Sequence, residues 1–349
     1  MSRVTASVVI VTYNSERHIG ACLAALMDDP AGPEQIIVVD NASSDNTTAI
    51  VAGYPVELIA AEENLGLAAG CHRGVEAASF DTLAFVTPDV VVRPGWLPLL
   101  VDALGDDSVG SATATLELAA QPGTTNTTGG ELSYFGLAWA SEIGSSLDAG
   151  SDLVTVPFTP GAAMAMKRSV WERSGGFRPE LGMYHEDVDL GWRLSTLGLS
   201  SVRVPRSVVV HDYDFSRNSE KMFLLERNRL VLLWSNYRRG TLVLLVPALV
   251  LVEIGVLVVA VRDGWAGAKL RSWPAAWRQR RSIQQWYRRI QQERTVGDAT
   301  LLEAMGSSFG GITEVRVPRG ARLAGRILGG YRKLVLPVVR RADRRLELI

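Results

Sequence analysis

The chain has 349 residues, 47% of them apolar and 21% charged, enough apolar material for one large core or two modest ones, which excludes disorder as the main state. Its net charge of −1 conceals a division: residues 262–349 carry 19 Lys/Arg against 7 Asp/Glu, a net of +12, while residues 1–261 carry 17 against 30, a net of −13. Two cysteines, Cys22 and Cys71, exclude a disulfide framework or a cysteine metal cluster and point to a reducing compartment. The start, Met1-Ser2-Arg3-Val4-Thr5, runs straight into a strand pattern without the apolar segment of a secretory leader, so the body is expected in the cytosol.

Ser7-Val8-Val9-Ile10-Val11 and Ile36-Ile37-Val38-Val39 are continuous apolar runs rich in β-branched residues, the pattern of strands buried on both faces. Between them His18 to Met27 has helical spacing. A third strand is expected over 56–59, a helix over 68–78 and a fourth strand over 82–86. This alternation predicts an α/β doubly wound sheet whose ligand crevice lies at the carboxyl ends of the strands. Polar motifs stand at three of those ends: Thr12-Tyr13-Asn14, then Asp40-Asn41-Ala42-Ser43-Ser44-Asp45, then Thr87-Pro88-Asp89. From about 105 to 156 the pattern dissolves into Gly, Ser and Thr and reads as loops and short strands. A strand is then expected over 161–166, helices over 168–174 and from Glu186 to about Leu197, and strands over 202–204 and 208–210.

The densest chemistry lies in Tyr184-His185-Glu186-Asp187-Val188-Asp189-Leu190-Gly191-Trp192-Arg193. If this run opens a helix, Glu186, Asp189 and Arg193 share one face as an ion-pair seam, and Asp187 points elsewhere at the positive helix end, ionised and free to accept a proton. A solvated acidic first turn is the plainer reading of the same residues. Asp40 ends a strand where a carboxylate accepts hydrogen bonds from a base imide or a ribose hydroxyl, and Thr12 and Asn14 can line the same pocket. The segment after Asp40 also suits a turn with a capped helix. In Asn64-Leu65-Gly66-Leu67-Ala68-Ala69-Gly70 two glycines free the backbone, and Arg73 a turn later can face a diphosphate. Asp89 alone cannot hold a Mg2+ or Mn2+ ion, but such an ion needs only one or two protein ligands beside substrate phosphates.

Taken together these motifs resemble glycosyltransferase family two, inverting enzymes of GT-A fold, in its rhamnosyltransferase-like members. Residues 7–14 are similar to the family's opening strand, Val38 to Asp45 to its nucleoside loop, and Asn64-Leu65-Gly66 with Arg73-Gly74 to its next segment. Thr87-Pro88-Asp89 stands where the family carries Asp-x-Asp, and His185-Glu186-Asp187 where it carries its Glu-Asp base motif. The resemblance implies that Asp40 binds the nucleoside, that Asp89 and His211 hold Mg2+ or Mn2+, and that Asp187 deprotonates the acceptor hydroxyl. For His211 itself, a buried structural imidazole is the alternative. Thr12, Tyr13, Asn14, Asn64, Gly66, Arg73 and Thr87 fall to the donor side. Glu186, Asp189, Trp192 and Arg193 fall to acceptor contact or support, with Trp192 equally suited to the core. Thr87 departs from the family's first Asp, which weakens the expectation of tight metal binding. The Thr-Pro-Asp triplet resembles the Asn-Pro-Asp variant of rhamnosyltransferase-like members, which fits dTDP-rhamnose or a UDP-sugar as donor without choosing between them.

Residues 241–261 are long enough, as a helix of about 31 Å, to cross a bilayer. Both flanks are basic, and Pro247 and Glu253 suit mid-bilayer poorly unless protein or water satisfies them. A membrane-inserted or re-entrant segment is favoured over a soluble core helix. Farther on, Leu323, Ile327, Leu334, Val335 and Val338 fall near one helical face with Arg322, Arg326, Lys333 and Arg340 alongside, the pattern of an interfacial helix that Pro337 should kink or end. Trp265, Trp273, Trp277, Trp286 and Tyr287 suit an interface belt. The expected partners are a nucleotide-sugar donor, a lipid-linked glycan acceptor and an anionic membrane surface at the cytoplasmic face, and not nucleic acid.

The expected organisation is a nucleotide-sugar-binding half over 1–105, an acceptor-binding and catalytic half over 106–235 and a basic, apolar-helical membrane-associated region over 236–349. The rivals are a non-catalytic membrane scaffold, disfavoured by the intact Asp40, Asp89, Asp187 and His211, and a sugar-phosphate nucleotidyltransferase. The latter needs a Gly-rich signature near the first strand, which Thr12-Tyr13-Asn14-Ser15-Glu16 does not provide.

Overall fold

The computed structural model describes residues 3–147, 150–213, 218–307 and 320–346. They form two compact units: the first comprises Met1–Gly130, Ala140–Leu194 and Leu199–Asp214, the second Glu131–Trp139, Ser195–Gly198 and Phe215–Ile349.

In chain order the strands are β1 (Val4–Thr12), β2 (Pro33–Asp40), β3 (Glu57–Ala60), β4 (Thr82–Val86), β5 (Val90–Val92), β6 (Val109–Leu118), β7 (Thr125–Thr127), β8 (Gly130–Leu132), β9 (Ala138–Ala140), β10 (Val154–Val156), β11 (Ala163–Lys167) and β12 (Ser200–His211). The helices that bear on the argument are α1 (Ile19–Asp28), α2 (Thr47–Val51), α3 (Leu67–Ala77), α4 (Trp96–Ala103), α5 (Arg168–Ser174), α6 (Glu186–Thr196), α7 (Ser219–Asn236), α8 (Arg239–Arg262), α9 (Ala266–Arg278), α10 (Arg280–Glu293), α11 (Asp298–Ala304) and α12 (Ala321–Leu346).

The first unit is built on one mixed sheet in the order β10-β12-β6-β11-β4-β1-β2-β3, with β5 added to β12 and β7 to β6; β8 and β9 form a separate pair. Strands β4, β1, β2 and β3 run parallel, while β11 is antiparallel to both β4 and β6. Alternate residues of β1 serve opposite cores, as the period of two requires. Val8 and Ile10 pack with Leu23, Trp96 and Leu97 on the α1 and α4 side, whereas Val9 and Val11 pack with Cys71, Phe85, Trp171 and Leu190 on the other. Both cysteines are free and buried, and burial pushes the Cys22 thiol up to about 12.

Helix α3 lies close on this sheet because two of its residues lack side chains. A Cβ on Gly70 would stand 2.6 Å from Val11, and one on Gly74 would stand 2.3 Å from Val9. Gly70, expected to free the backbone for a phosphate, is therefore a packing residue. Gly66, at φ +80° ahead of α3, is the one that frees the chain.

The largest departure from the sequence-based expectation is β6, a ten-residue strand buried along its whole length inside the stretch read as loops and short strands. Its sequence, Val-Gly-Ser-Ala-Thr-Ala-Thr-Leu-Glu-Leu, is small and hydroxylic, so it has no apolar run to announce it. Burial comes instead from close neighbours, β12 on one side and β11 on the other. The two strands expected over 202–204 and 208–210 are one strand, β12, whose register on β6 shifts between Val204 and Val208, where Pro205 cannot donate to the ladder.

In the second unit, α12 continues through Pro337 to Leu346. One missing donor does not end a helix whose inner stripe, Leu328, Val335 and Val339, is buried. Val335, expected on the outer stripe, belongs to this inner one.

Candidate active site

Register brings the donor-side motifs level with one another. Thr12 pairs with Asp40 across β1 and β2, and Asp40 with Ala60 across β2 and β3, so the chain leaves all three strands at one edge. Asp40 is buried; its carboxylate accepts hydrogen bonds from the Ser43 amide (2.9 Å) and hydroxyl (2.5 Å). Asn14 clasps the same loop, its Oδ1 accepting from the Ser44 amide at 2.8 Å while its own N–H donates to the Ser43 hydroxyl at 2.9 Å. Asn14 (φ +50°) and Ala42 (φ +60°) occupy the left-handed region, strain of the kind stored at ligand sites. Two buried polar atoms here, Thr12 Oγ1 and Asn41 Oδ1, have no partner among the described residues, each at a cost of about 1–3 kcal/mol until something meets it. Tyr13 is half exposed beside them. Asn64 shapes the turn into α3 by accepting from the Gly66 amide at 2.9 Å. Arg73 is exposed on α3 and, among the described residues, pairs with none of these groups.

A second cluster forms where β5 meets the end of β12. His211 pairs with Val90, and the Asp212 amide donates to the Asp89 carbonyl at 3.0 Å, fixing the two backbones together. His211 Nε2 then stands 3.3 Å from Asp89 Oδ2, and the Thr87 hydroxyl donates to Asp89 Oδ1 at 2.5 Å. Burial alone would raise the Asp89 carboxyl, but the imidazole and the Thr87 hydroxyl hold it below the usual carboxylate range. Behind the imidazole lies a residue that no sequence motif singles out: Asn126 of β7, whose amide oxygen sits 2.9 Å from His211 Nδ1 in a buried setting. The Asn126 amide thus holds one ring nitrogen and aims the other, Nε2, at Asp89 Oδ2. The residues therefore fit a divalent ion with one carboxylate and one oriented imidazole, other positions being left to phosphate oxygens and water. Among the described residues no group of three or more acidic, His or Cys side chains gathers to form a metal cage.

The third element is the start of α6. Tyr184 (φ +67°) and His185 (φ +66°) precede it in the left-handed region, and this sharp entry sets the direction of the Glu-Asp pair. Asp187 is half-buried; it accepts from the Gly161 amide at 3.2 Å and from the Val188 amide at 2.7 Å. Gly161 adjoins Ala162, whose carbonyl takes the Thr87 amide at 3.0 Å. Asp187 and the Thr87–Asp89 turn are thus fastened to consecutive residues leading into β11. Desolvation raises the Asp187 carboxyl against these amide hydrogen bonds, so the expected fully ionised helix-end carboxylate is instead a carboxylate of increased basicity.

The expected ion-pair seam is realised with different members. Asp189 is fully buried between Arg193 (2.8 Å) and Arg178 (3.5 Å), and Arg193 continues to the carbonyls of Ser174 and Gly176. Glu186 takes no part: it is buried, its Oε2 has no partner among the described residues, and burial together with the Asp187 charge pushes its carboxyl up to about 8. Arg178 displaces it as the second partner of the seam, approaching from an irregular segment that no helical spacing predicts. Trp192 is buried, which decides for its core role.

Glu186 gives a stability prediction with a definite sign. Its folded-state pKa lies above the unfolded value, so its contribution is fully present below about pH 4.5 and is lost as pH rises through about 8. Glu186→Gln should remove that loss. Chemical denaturation of the two proteins should show the variant gaining on the wild type between pH 5 and 8 by on the order of 3 kcal/mol; parallel curves would refute the assignment.

An α/β sheet with a nucleoside-type edge, a strand-tip aspartate beside a histidine and a basic carboxylate at a helix start has the parts of a GT-A glycosyltransferase. Residues 7–175, just under half of the chain, match the family model "Glycosyl transferase family 2", and the chain is similar to that family in its rhamnosyltransferase-like members. The N-acetylglucosaminyl-diphospho-decaprenol L-rhamnosyltransferase of Mycobacterium tuberculosis is 28% identical over 58% of this chain and 75% of its own. The pre-mycofactocin glycosyltransferase of the same organism is 31% identical over 51% of this chain and 37% of its own. The crystal structure of GalNAc-T7 with UDP, GalNAc and Mn2+ superposes on 66% of this chain and 48% of that one, with a TM-score of 0.54 and 16% identity, a likeness of fold.

Proposed function

We propose that this glycosyltransferase inverts the anomeric centre as it moves a sugar from dTDP-rhamnose or a UDP-sugar to a hydroxyl of a lipid-linked glycan, in cell-envelope polysaccharide synthesis at the cytoplasmic face of the membrane. The observation that carries the reading is the fastening of Asp187 to Gly161 and of Thr87, which opens the turn bearing Asp89 with its partner His211, to the adjacent Ala162. Two opposed functions meet there. Asp187 takes the proton of the acceptor hydroxyl as its oxygen attacks the anomeric carbon, and the nucleoside diphosphate leaves from the opposite face. Thr12, Asn41 and Asp40 bind the nucleoside, with Thr12 Oγ1 and Asn41 Oδ1 gaining the partners they lack. Tyr13, Asn14, Asn64, Gly66 and Thr87 shape the donor side, and Arg73 offers a cation to the diphosphate. Asp89 and His211 would hold Mg2+ or Mn2+, which offsets the charge developing on the leaving diphosphate. Likeness to a relative named for a decaprenyl-linked acceptor supports the lipid-linked acceptor.

The test is thermal stabilisation by a panel of nucleotide sugars with and without Mn2+, since a ligand that binds only the folded state raises its melting point. Stabilisation is expected from dTDP- or UDP-linked sugars and should grow with Mn2+. In Asn126→Leu the Mn2+ concentration giving half the effect should rise about 10–100-fold, because the imidazole loses the partner that holds its ring in place. An unchanged requirement would remove Asn126 from the site, and a panel without a stabilising member would remove the donor assignment.

A further inference from the structure

We infer that the second unit lays α8 along an anionic lipid leaflet, in the plane of the headgroup boundary, and does not pass it through the bilayer. The inference rests on the membrane reading proposed above and specifies its geometry. Helix α8 is 24 residues long and passes the length and apolarity test for a membrane span. Its surroundings argue otherwise.

Its apolar surface is one-sided. Val243, Val246, Val250, Ile254, Val258 and Val261, spaced by three or four residues, are exposed along nearly its whole length, while Leu245, Ala248 and Val252 are buried against the unit. Near its middle, Glu253 is bound by Arg229 of α7, by Lys269 of α9 at 2.6 Å and by the Trp273 indole N–H at 2.6 Å. Arg229 and Lys269 also share Glu226, whose carboxyl their charges pull down to about 2 against its burial. The middle of α8 is thus pinned to a charged cluster on two polar helices, and Arg271, two residues beyond Lys269, is exposed. If α8 crossed the bilayer, its midpoint would drag this cluster and an exposed arginine to the hydrocarbon centre, where charged side chains are most costly. Laid flat, the exposed stripe enters the acyl boundary and the charged helices remain on the watery side.

The partner is identified by charge. Exposed Arg262, Arg278, Arg280, Arg322, Arg326 and Lys333 belong to this same unit, with Trp277 exposed among them, and suit anionic headgroups. Helix α12, joined to α8 by the Tyr331 hydroxyl donating to the Leu244 carbonyl at 2.6 Å, adds an exposed stripe of Leu323, Ile327, Leu334 and Val338.

The experiment places a nitroxide at Val243→Cys, Val250→Cys and Val258→Cys in turn in the full chain, reconstituted from detergent into vesicles of phosphatidylcholine with phosphatidylglycerol. Cys22 and Cys71 are buried and stay unlabelled. Depth is read from the relative access of oxygen and a nickel chelate. All three labels should lie at one shallow depth, roughly 5–10 Å below the phosphates. A label at Val250 near the bilayer centre with the outer two much shallower would overturn the flat geometry while leaving membrane binding intact. Failure of the protein to float with the vesicles, with no label in lipid, would instead overturn the membrane reading and this inference with it. Binding should weaken at least about tenfold in pure phosphatidylcholine; equal binding would overturn the anionic partner.

Discussion

Asp187→Asn should lower kcat for sugar transfer by about 10²–10⁴-fold, the usual contribution of a positioned general base, while donor affinity is preserved. The two amides that Asp187 accepts from use different oxygens, the Gly161 N–H on Oδ2 and the Val188 N–H on Oδ1, so the Asn amide keeps one of these hydrogen bonds while proton acceptance is lost. Because burial raises the native carboxyl, the folded state loses stability as pH rises through that elevated pKa, a loss the uncharged variant does not share. The same shift dictates the wild-type rate profile: a base must be deprotonated, so kcat falls on acidification at a pH above the ordinary carboxylate range. Steady-state kinetics with a nucleotide-binding measurement on the same preparation decide the matter. A variant with full kcat ends the assignment of Asp187 as base.

Two residues on, the same amino acid should behave in the opposite way. Asp189→Asn should cost about 3–5 kcal/mol of stability, because Arg178 and Arg193, both buried, lose the one charge between them. Removing a partner from a desolvated pair leaves the remaining charges unmatched, and the penalty exceeds what the pair contributes when intact. Denaturant unfolding checks this directly. A loss under 1 kcal/mol would mean that Ser174, Gly176 and Glu180 suffice to hold the two guanidinium groups. Any folded fraction should retain the Asp187-dependent rate profile, since the Asp189 carboxylate pairs with Arg178 and Arg193 in the buried interior. The pair of variants separates chemistry from architecture within one turn of helix.

Legibility in the sequence followed the physical origin of each feature. Strands β1, β2 and β4 announce themselves because burial on both faces demands continuous apolar runs, and α6 because its charges have helical spacing. Strand β6 is equally buried yet hidden, because small hydroxylic residues reach the core through backbone pairing and close packing, which leave no hydropathy signal. In the site, Asp40, Asp89, Asp187 and His211 stand at strand or helix ends, where polar residues interrupt apolar ones and draw notice. Asn126 and Arg178 escape it. Each lies in polar or irregular sequence, and each acquires its role from a partner that no helix or strand period connects to it, such as His211, 85 positions beyond Asn126.

The sequence by itself determined the α/β class, the parallel strands of the first half, the family resemblance and the separation into an acidic body and a basic, apolar tail. All of these are written in local periodicity, composition and short motifs. Tertiary structure alone decided that Glu186 is a buried bystander with a raised carboxyl while Asp189 is the pinned ion, that Asn126 orients His211, that Gly70 serves packing, and that Glu253 is neutralised by Arg229 and Lys269. Each of these depends on what burial and distant neighbours do to a charge or a lone pair, and periodicity does not encode those distances.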